Sequence, residues 1–264
     1  TPPIVSTLQD RITRGASRLE VAGISGSARS FLLSNLIQEM PAPCLLMAPN
    51  AKEARRLYKE LAFFLPDALS EGAFGERRLF DFPVYDISPL SGLSPHRDVV
   101  TRRLQALFAL TEQPDAVVVS SVEAAAVRLM PKSALVDGLD YLETGEEVDR
   151  DRLIRRLFEN GYLRTSLVEE NGDFAVRGGV LDVFPPLSRE PVRLEFWGDR
   201  LESMRSFDPL SQRSTGTLSE LILLPASEIL WSSASVERAR SMGRLPPEME
   251  EGRGFPGQEA WLNH

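Results

Sequence analysis

Apolar residues recur at two different spacings along this chain, and the spacing changes near residue 145. In the first part, runs with apolar side chains every three or four positions predict helices. They alternate with short, continuous apolar runs, which predict strands buried on both faces. Helices are expected over 4–14, 29–39, 51–64, 101–110 and 122–130, and strands over 19–22, 44–48 and 116–120. This alternation is typical of right-handed βαβ crossovers, so it predicts an α/β unit with a parallel sheet.

The second part begins with an amphipathic helix and continues as short strands. Residues 149–160 place Leu153, Leu157 and Phe158 on one helical face, as expected for a helix that packs on a core. The dipeptide Asn171-Gly172 is typical of a tight hairpin turn. Strand patterns follow over 174–176, 180–184, 192–196 and 218–224. The sequence therefore predicts a small α+β domain rich in antiparallel pairing.

The change in pattern sets the predicted domain boundaries at 1–145, 146–224 and 225–264. A helix is expected over 234–242, and the glycine, proline and glutamate content of 243–257 is typical of a loop or a frayed tail.

Composition and charge narrow the classes of function. The formal net charge is −8, so no overall basic field attracts nucleic acid. The single cysteine, Cys44, lies in an apolar run and is expected to be a core thiol, and His96 and His264 form no metal cluster. We therefore expect neither a metal nor a cofactor. No apolar run has membrane-spanning length and the first residues lack a signal-peptide core, so a cytoplasmic location without membrane contact is expected.

A sequence related to phosphate-binding loops lies at 23–30, Gly-Ile-Ser-Gly-Ser-Ala-Arg-Ser. Such loops follow a strand, open a helix, and read glycine, four residues, then glycine, lysine and serine or threonine. Gly23 and Ser30 fit and Gly26 adds flexibility, but Ala28 and Arg29 replace the second glycine and the lysine. Because arginine does not replace the compact lysine charge, we predict a degenerate loop that binds no nucleotide. Two alternatives stay open, a simple connecting loop and weak anion binding by the helix amides.

Several ordered motifs resemble one family. They are Phe-Pro-Val-Tyr-Asp at 82–86, Ser-Pro-His-Arg-Asp at 94–98, Asn-Gly-Asp-Phe-Ala-Val-Arg-Gly-Gly-Val-Leu-Asp-Val-Phe-Pro at 171–185 and Val-Arg-Leu-Glu-Phe-Trp-Gly-Asp at 192–199. The chain resembles the N-terminal region of bacterial transcription-repair coupling factors, the region similar to the excision-repair protein UvrB. The resemblance extends over about 15–230, and the last two motifs are the most specific.

The resemblance implies a RecA-like domain 1A at 1–145, a UvrA-docking domain 2 at 146–224, and the start of domain 1B beyond it. It implies a non-catalytic module that recruits UvrA. The parent protein resembles an ATP-dependent DNA translocase and would meet RNA polymerase and DNA through domains outside this chain. Only a short loop, 88–93, stands where UvrB has its DNA-clamping hairpin, so damage clamping is not expected. The alternative is a residual nucleotide- or DNA-binding module of a helicase-like repair protein.

The candidate contact residues lie in domain 2. The resemblance implies Arg164, Arg177, Glu195 and Phe196, and strand alternation adds Arg193 and Trp197 to the polar face that carries Glu195. An exposed aromatic residue beside arginines is a usual composition of an interface hot spot. The alternative for each arginine is a solvated surface position, and for Phe196 it is core packing, because Phe196 shares its face with Val192 and Leu194.

Overall fold

The computed structural model describes residues 3–39, 42–69, 78–88 and 93–230, together with positions 237, 240 and 241. Within these ranges the chain forms two compact units. The first comprises residues up to 84 and 106–126, and the second comprises 85–105 and the residues from 127 onward. The predicted helix over 234–242 lies largely outside the described residues, and the predicted tail, His264 and most of the 88–93 loop lie outside them too.

The first unit is built on a three-stranded parallel sheet. Strand β3 lies in its centre, between β1 and β2. All five residues of β3 are buried, as expected for a central strand covered on both faces. The elements in chain order are α1 (Pro3–Thr13), α2 (Ala28–Glu39), β1 (Cys44–Ala48), α3 (Ala51–Phe64), a 3₁₀ turn (Pro66–Ala68), β2 (Leu79–Phe82), the later residues of α4 (Arg97–Glu112), β3 (Val117–Ser121) and α5 (Val122–Ala125).

Helices pack on both faces of this sheet, although Leu45 and Met47 of the edge strand β1 stay partly exposed. Leu57 and Leu61 of α3 pack on the face that carries Val117, and Ala106 and Ala109 of α4 pack on the face that carries Val118. Helix α3 begins sharply because the Asn50 side chain accepts a hydrogen bond from the Glu53 amide at 2.9 Å, and such a cap satisfies one free donor of the first turn.

The second unit is built on a six-stranded sheet in the order β10-β9-β8-β7-β6-β5. Its pairs are antiparallel except for β5 and β6, which are parallel. A separate antiparallel pair joins β4 and β11. The elements in chain order, after the first residues of α4, are α6 (Lys132–Asp137), β4 (Asp140–Glu143), α7 (Arg150–Glu159), β5 (Leu163–Arg164), β6 (Asp173–Arg177), β7 (Val180–Val183), β8 (Val192–Trp197), β9 (Arg200–Phe207), β10 (Ser214–Leu218) and β11 (Glu220–Leu223).

One face of the six-stranded sheet carries the main core of the second unit. Phe174, Leu181 and Leu194 line it, and Leu153 and Leu157 of α7 pack against it. Each is almost completely buried, so this contact removes several large apolar side chains from water, each contributing roughly 1.5–3 kcal/mol.

Residues 224–229 form an irregular segment, which we call the strap, and it packs against the same unit. The Tyr162 hydroxyl donates to the Leu224 carbonyl at 2.6 Å, and the buried guanidinium of Arg103 contacts the Glu228 carboxylate at 2.5 Å. Glu228 also accepts from the Tyr85 hydroxyl at 2.9 Å. Because a buried charge is tolerated only when it is paired, these contacts hold the strap in one place.

The structure confirms the α/β class, with a parallel sheet in one unit and an antiparallel one in the other. Helix α3 and the amphipathic α7 lie where the pattern placed them. The RecA-like assignment and the three predicted domains stay predictions. The chain passes from one compact unit to the other after residues 84, 105 and 126, whereas the predicted domain boundaries mark changes in the spacing of apolar residues.

Four local predictions are wrong. Residues 19–22 form no strand, and the helix predicted over 122–130 ends at Ala125. Leu45 is half exposed, because β1 is an edge strand rather than a fully buried one. The hairpin turn is Gly178-Gly179, between the antiparallel strands β6 and β7, whereas Asn171-Gly172 precedes β6 without joining two antiparallel strands.

Candidate functional site

The 23–30 loop opens helix α2, which begins at Ala28. Gly23 and Gly26 have positive φ angles of 79° and 60°. The chain before Gly23 is irregular and mostly exposed, so the expectation that a strand leads into this loop is wrong. The sequence motif therefore lacks one half of the strand–loop–helix context that phosphate-binding loops require.

Side chains of α3 engage the polar groups at the end of this loop. Ser30 is completely buried, and its hydroxyl donates to the Glu60 carboxylate. The Arg29 guanidinium lies 3.7 Å from the Glu53 carboxylate, and Arg56 Nε lies 2.8 Å from Glu60 Oε1. Part of the loop, with the side chains of Arg29, Glu53 and Arg56, lines an open depression of about 180 Å³.

Groups that could hold a metal or act as a nucleophile are sparse. Across the described ranges, no three histidine, cysteine, aspartate or glutamate side chains come together as a metal site. Cys44 is half-buried rather than fully buried as expected, and burial raises the pKa of its thiol, against a smaller lowering by Arg78. A raised pKa disfavours the thiolate that a nucleophilic cysteine needs.

The second face of the six-stranded sheet is mixed, since Ala175 and Phe207 are buried there in a small apolar cluster and most of the rest is polar. Strand register fixes which residues share this face. Arg177 of β6 pairs with Val180 of β7, and Val180 pairs with Glu195 of β8. Directly paired residues point to the same face of a sheet. Trp197 follows Glu195 by two positions and shares its face by alternation, and its side chain is 82% exposed. The prediction that Glu195 and Trp197 lie on one face is confirmed.

Arg193 lies on this face but is held by the sheet itself. Its guanidinium contacts both carboxylate oxygens of Asp182, at 2.7 and 2.9 Å, and lies 4.7 Å from the centre of the Phe207 ring. The hydrogen bond to Asp182 raises the pKa of Arg193 further. Asp182 is buried, so the pair is internal to the sheet. The predicted contact of Arg193 with a partner stays a prediction.

Phe196 and Glu195 differ from Trp197 in what surrounds them. Phe196 is 9% exposed and packs in the main core. Its position therefore agrees with the alternative of core packing, and it presents little surface to a partner. Glu195 accepts from Ser203 Oγ at 2.6 Å and lies 3.6 Å from Arg205. It therefore belongs to a partly exposed polar cluster on β8 and β9.

Arg164 and Arg177 are both exposed, but they lie on opposite faces of the sheet. Arg164 pairs with Phe174, whose ring lies in the core, whereas Arg177 is an odd number of positions further along β6. The hairpin predicted at Asn171-Gly172 does not join the segments that carry the two arginines, because β5 and β6 are parallel. Because β5 is an edge strand, Arg164 is nevertheless accessible from the side of the sheet.

Some residues of this region were not predicted from the sequence. Arg205 reaches the polar face from β9, a strand that the pattern did not identify although Leu201, Met204 and Phe207 are buried along it. Asp173 is also buried, and it accepts from the Glu169 and Glu170 amides and from Arg97. We call Arg177, Glu195, Trp197 and Arg205 the polar-face cluster.

Comparison with known proteins gives a family match and long alignments. Residues 141–229 match the UvrB interaction domain. The chain is 38% identical over 234 residues to the transcription-repair-coupling factor of Myxococcus xanthus, covering 88% of this chain and 19% of that protein. The coupling factor of Escherichia coli strain K12 is 30% identical over 233 residues, with the same coverage. UvrABC system protein B of Legionella pneumophila strain Corby is 32% identical over 229 residues, 85% of this chain and 34% of that protein.

The resemblance that the motifs indicated is thereby confirmed. The chain spans about a fifth of the length of these coupling factors and about a third of the UvrB protein. None of the helices in the part of the chain that the structure describes combines the length and the apolar character needed to cross a membrane.

Proposed function

We propose, from this similarity to transcription-repair coupling factors and to UvrB, that the chain is a non-catalytic UvrB-like module that recruits UvrA. Its role would be to bring nucleotide excision repair to stalled transcription. The single observation that carries the proposal is the match of residues 141–229 to the UvrB interaction domain, because that region forms the six-stranded sheet whose second face exposes Arg177 and Trp197.

The chemistry of the polar-face cluster supports a protein partner with acidic groups. Arginine side chains form paired hydrogen bonds to carboxylates, and Arg177 is exposed beside the Gly178-Gly179 turn. Trp197 adds a large apolar side chain that the sheet leaves 82% exposed. An exposed tryptophan close to arginine is the composition in which binding energy concentrates.

Arg164 would extend this contact around the sheet edge. Strands β5 and β6 are neighbours, so their backbones lie about 4.8 Å apart. A partner that approaches from the β5 side can therefore contact Arg164 at the edge and Arg177 on the polar face. Within the described part of the chain, Arg164 forms no salt bridge, so its charge is available to such a partner.

The first unit is proposed to be a degenerate RecA-like domain without nucleotide chemistry. Its parallel sheet and covering helices are consistent with that architecture. Ala28 and Arg29 replace the glycine and lysine of a functional loop, and Ser30 is bonded to Glu60. Contacts of the parent protein with RNA polymerase and DNA, and its motor activity, would lie in domains outside this chain.

Co-elution of the chain with purified UvrA tests the docking proposal. The wild-type chain is expected to co-elute, whereas Arg177→Glu and the double variant Arg164→Glu with Arg177→Glu are expected to lose UvrA, because acidic side chains repel an acidic partner. Arg155→Glu is the matched control, since Arg155 is exposed on α7, which packs on the opposite face of the sheet.

Circular dichroism and the melting temperature distinguish docking from folding. Unaltered values in Arg177→Glu with loss of UvrA support the polar face as the docking surface. Equal UvrA affinity in the wild type and the double variant would reject that surface, and failure of the wild-type chain to co-elute would reject the proposed function itself.

A further inference from the structure

The 23–30 loop and helix α3 share a cluster of charged groups that the docking function does not use. Helix α2 packs against α3, and Ile37 of α2 meets Leu57 and Leu61 of α3 in the core. This packing turns the Glu53, Arg56 and Glu60 face of α3 toward the start of α2. Two arginines and two glutamates therefore meet at the loop.

The position of Ser30 makes this cluster informative. At the position of Ser30, the hydroxyl of a phosphate-binding loop coordinates the Mg²⁺ that accompanies the phosphates. Here that hydroxyl is buried and donates to Glu60. Arg29, at the position of the ligand-binding lysine, is directed to Glu53 at 3.7 Å. The two side chains best placed to meet a phosphate are thus both engaged by carboxylates of the same chain.

We propose that Glu53 and Glu60 close the 23–30 loop to phosphate ligands, because they pair with Arg29, Arg56 and Ser30, the side chains that would otherwise meet the anion. This proposal goes beyond the docking function and does not depend on it. It assigns the exclusion of phosphates to two side chains of α3, in addition to the changes at Ala28 and Arg29.

The charge of Glu60 supports this assignment. Hydrogen bonds from Ser30, and secondly from Arg56, lower the pKa of the Glu60 carboxyl below its ordinary value. Glu60 is therefore ionised at neutral pH. Glu53 lines the depression, and Glu60 contacts Arg56, which lines it too. Each ionised carboxylate therefore offsets the charge of an arginine that would otherwise attract a phosphate.

Removing the two carboxylates is expected to leave a cationic site. Arg29 and Arg56 would lose their partners beside the first amides of α2, a helix of 12 residues. Free amides at a helix start, with its positive dipole, add to the attraction of arginine for phosphate. The class of ligand expected at the opened site is an inorganic phosphate or pyrophosphate.

The test is calorimetric titration of the chain with inorganic pyrophosphate. Glu53→Gln with Glu60→Gln is expected to bind about tenfold tighter than the wild type, and a further Arg29→Ala change is expected to remove the gain. The matched control is Asp67→Asn with Glu112→Gln, two exposed acidic residues of the same unit that change the net charge equally. A gain equal to that of this control, or no gain, would overturn the proposal.

A second measurement keeps the proposal testable if the double variant unfolds. Glu53→Gln alone leaves the buried Ser30–Glu60 contact in place, and it is expected to show a smaller gain in pyrophosphate affinity that again requires Arg29. A thermal-unfolding cycle of Ser30→Ala and Glu60→Gln should be non-additive, because each change removes the same hydrogen bond. Additive effects together with an unchanged affinity in Glu53→Gln would refute it.

Discussion

At the residue scale, Arg193 and Trp197 show why two side chains on one strand face can have different roles. Both point to the polar face of β8. Arg193 contacts the buried Asp182 on the neighbouring strand β7 and lies over the Phe207 ring, whereas Trp197 lies at the strand end and is 82% exposed. Alternation predicts the face of each residue. It cannot predict that Asp182 lies opposite Arg193, since that depends on the register between β7 and β8, which the irregular connection between them sets.

We expect Arg193→Ala to destabilise the second unit by about 2–3 kcal/mol, because it leaves the Asp182 carboxylate buried without its partner. Trp197→Ala should change stability by less than about 0.5 kcal/mol, as an exposed position does. Urea unfolding of both variants checks this. In UvrA binding the order should reverse, with Trp197→Ala costing about 2 kcal/mol. Equal stability of the two variants would contradict the structural role of Arg193.

Glu60 leads to a prediction on pH. Its pKa is lowered in the folded chain from the ordinary value of 4.5, first by Ser30 and then by Arg56. A carboxyl with a lowered folded pKa stabilises the fold above its unfolded pKa and loses that contribution as the pH falls through the folded value. Between about pH 6 and about pH 3, the urea midpoint should therefore fall more in the wild type than in Glu60→Gln. Parallel pH profiles would argue against the Ser30–Glu60 contact.

At the element scale, the two candidate turns of the second unit show what local sequence misses. Asn171-Gly172 has the composition of a hairpin turn. The two residues before it are held by the Asp173 carboxylate, which accepts hydrogen bonds from their backbone amides and from the Arg97 side chain. The reversal occurs at Gly178-Gly179 instead, and this turn brings the end of β6 beside β7. Distant Arg97 contributes to that choice, so turn composition alone could not predict it.

Gly179→Ala should destabilise the chain more than Gly178→Ala. A Cβ at Gly179 would lie 2.8 Å from the Phe196 carbonyl oxygen, and the Phe196 backbone is held there because its amide donates to the Gly179 carbonyl at 2.8 Å. Gly178 has open space around it and a φ of 57°. Gly178→Ala should cost roughly 1–2 kcal/mol, because an alanine is strained at a φ above zero. Gly179→Ala should cost about 2 kcal/mol or more, because its Cβ clashes with backbone. Thermal unfolding of both variants measures the order, and a more stable Gly179→Ala would be inconsistent with it.

At the scale of the whole molecule, the fold class and the family resemblance could be predicted from the sequence, whereas the long-range contacts could not. The spacing of apolar residues predicted α3, α7 and β8, because local periodicity reflects which face is buried. The strap over 224–229 has no such periodicity. It is fixed by Tyr162, Arg103 and Tyr85, and Gly161 leaves the space that Ser227 fills, since a Cβ there would lie 2.4 Å from the Ser227 side chain.

The charge of the whole chain leads to the last prediction, on DNA. The chain has 30 lysine and arginine residues against 38 aspartate and glutamate residues, a net charge of −8. Non-specific DNA affinity comes chiefly from the release of counterions when basic side chains neutralise phosphates. On the polar face, Arg193 is already paired with Asp182, and Arg205 lies near Glu195. Too few cations are left there to neutralise a run of phosphates.

We therefore expect no submicromolar binding of duplex DNA by this chain at about 0.15 M salt, with or without a lesion. Fluorescence anisotropy of damaged and undamaged duplexes measures this, and a repeat at about 0.05 M salt shows whether any weak signal is electrostatic. Arg164→Glu with Arg177→Glu should leave the DNA signal as weak as in the wild type while it removes UvrA. Tight, damage-selective binding by the wild type would assign the arginines to DNA, because the same guanidinium groups that suit a carboxylate also suit a phosphate.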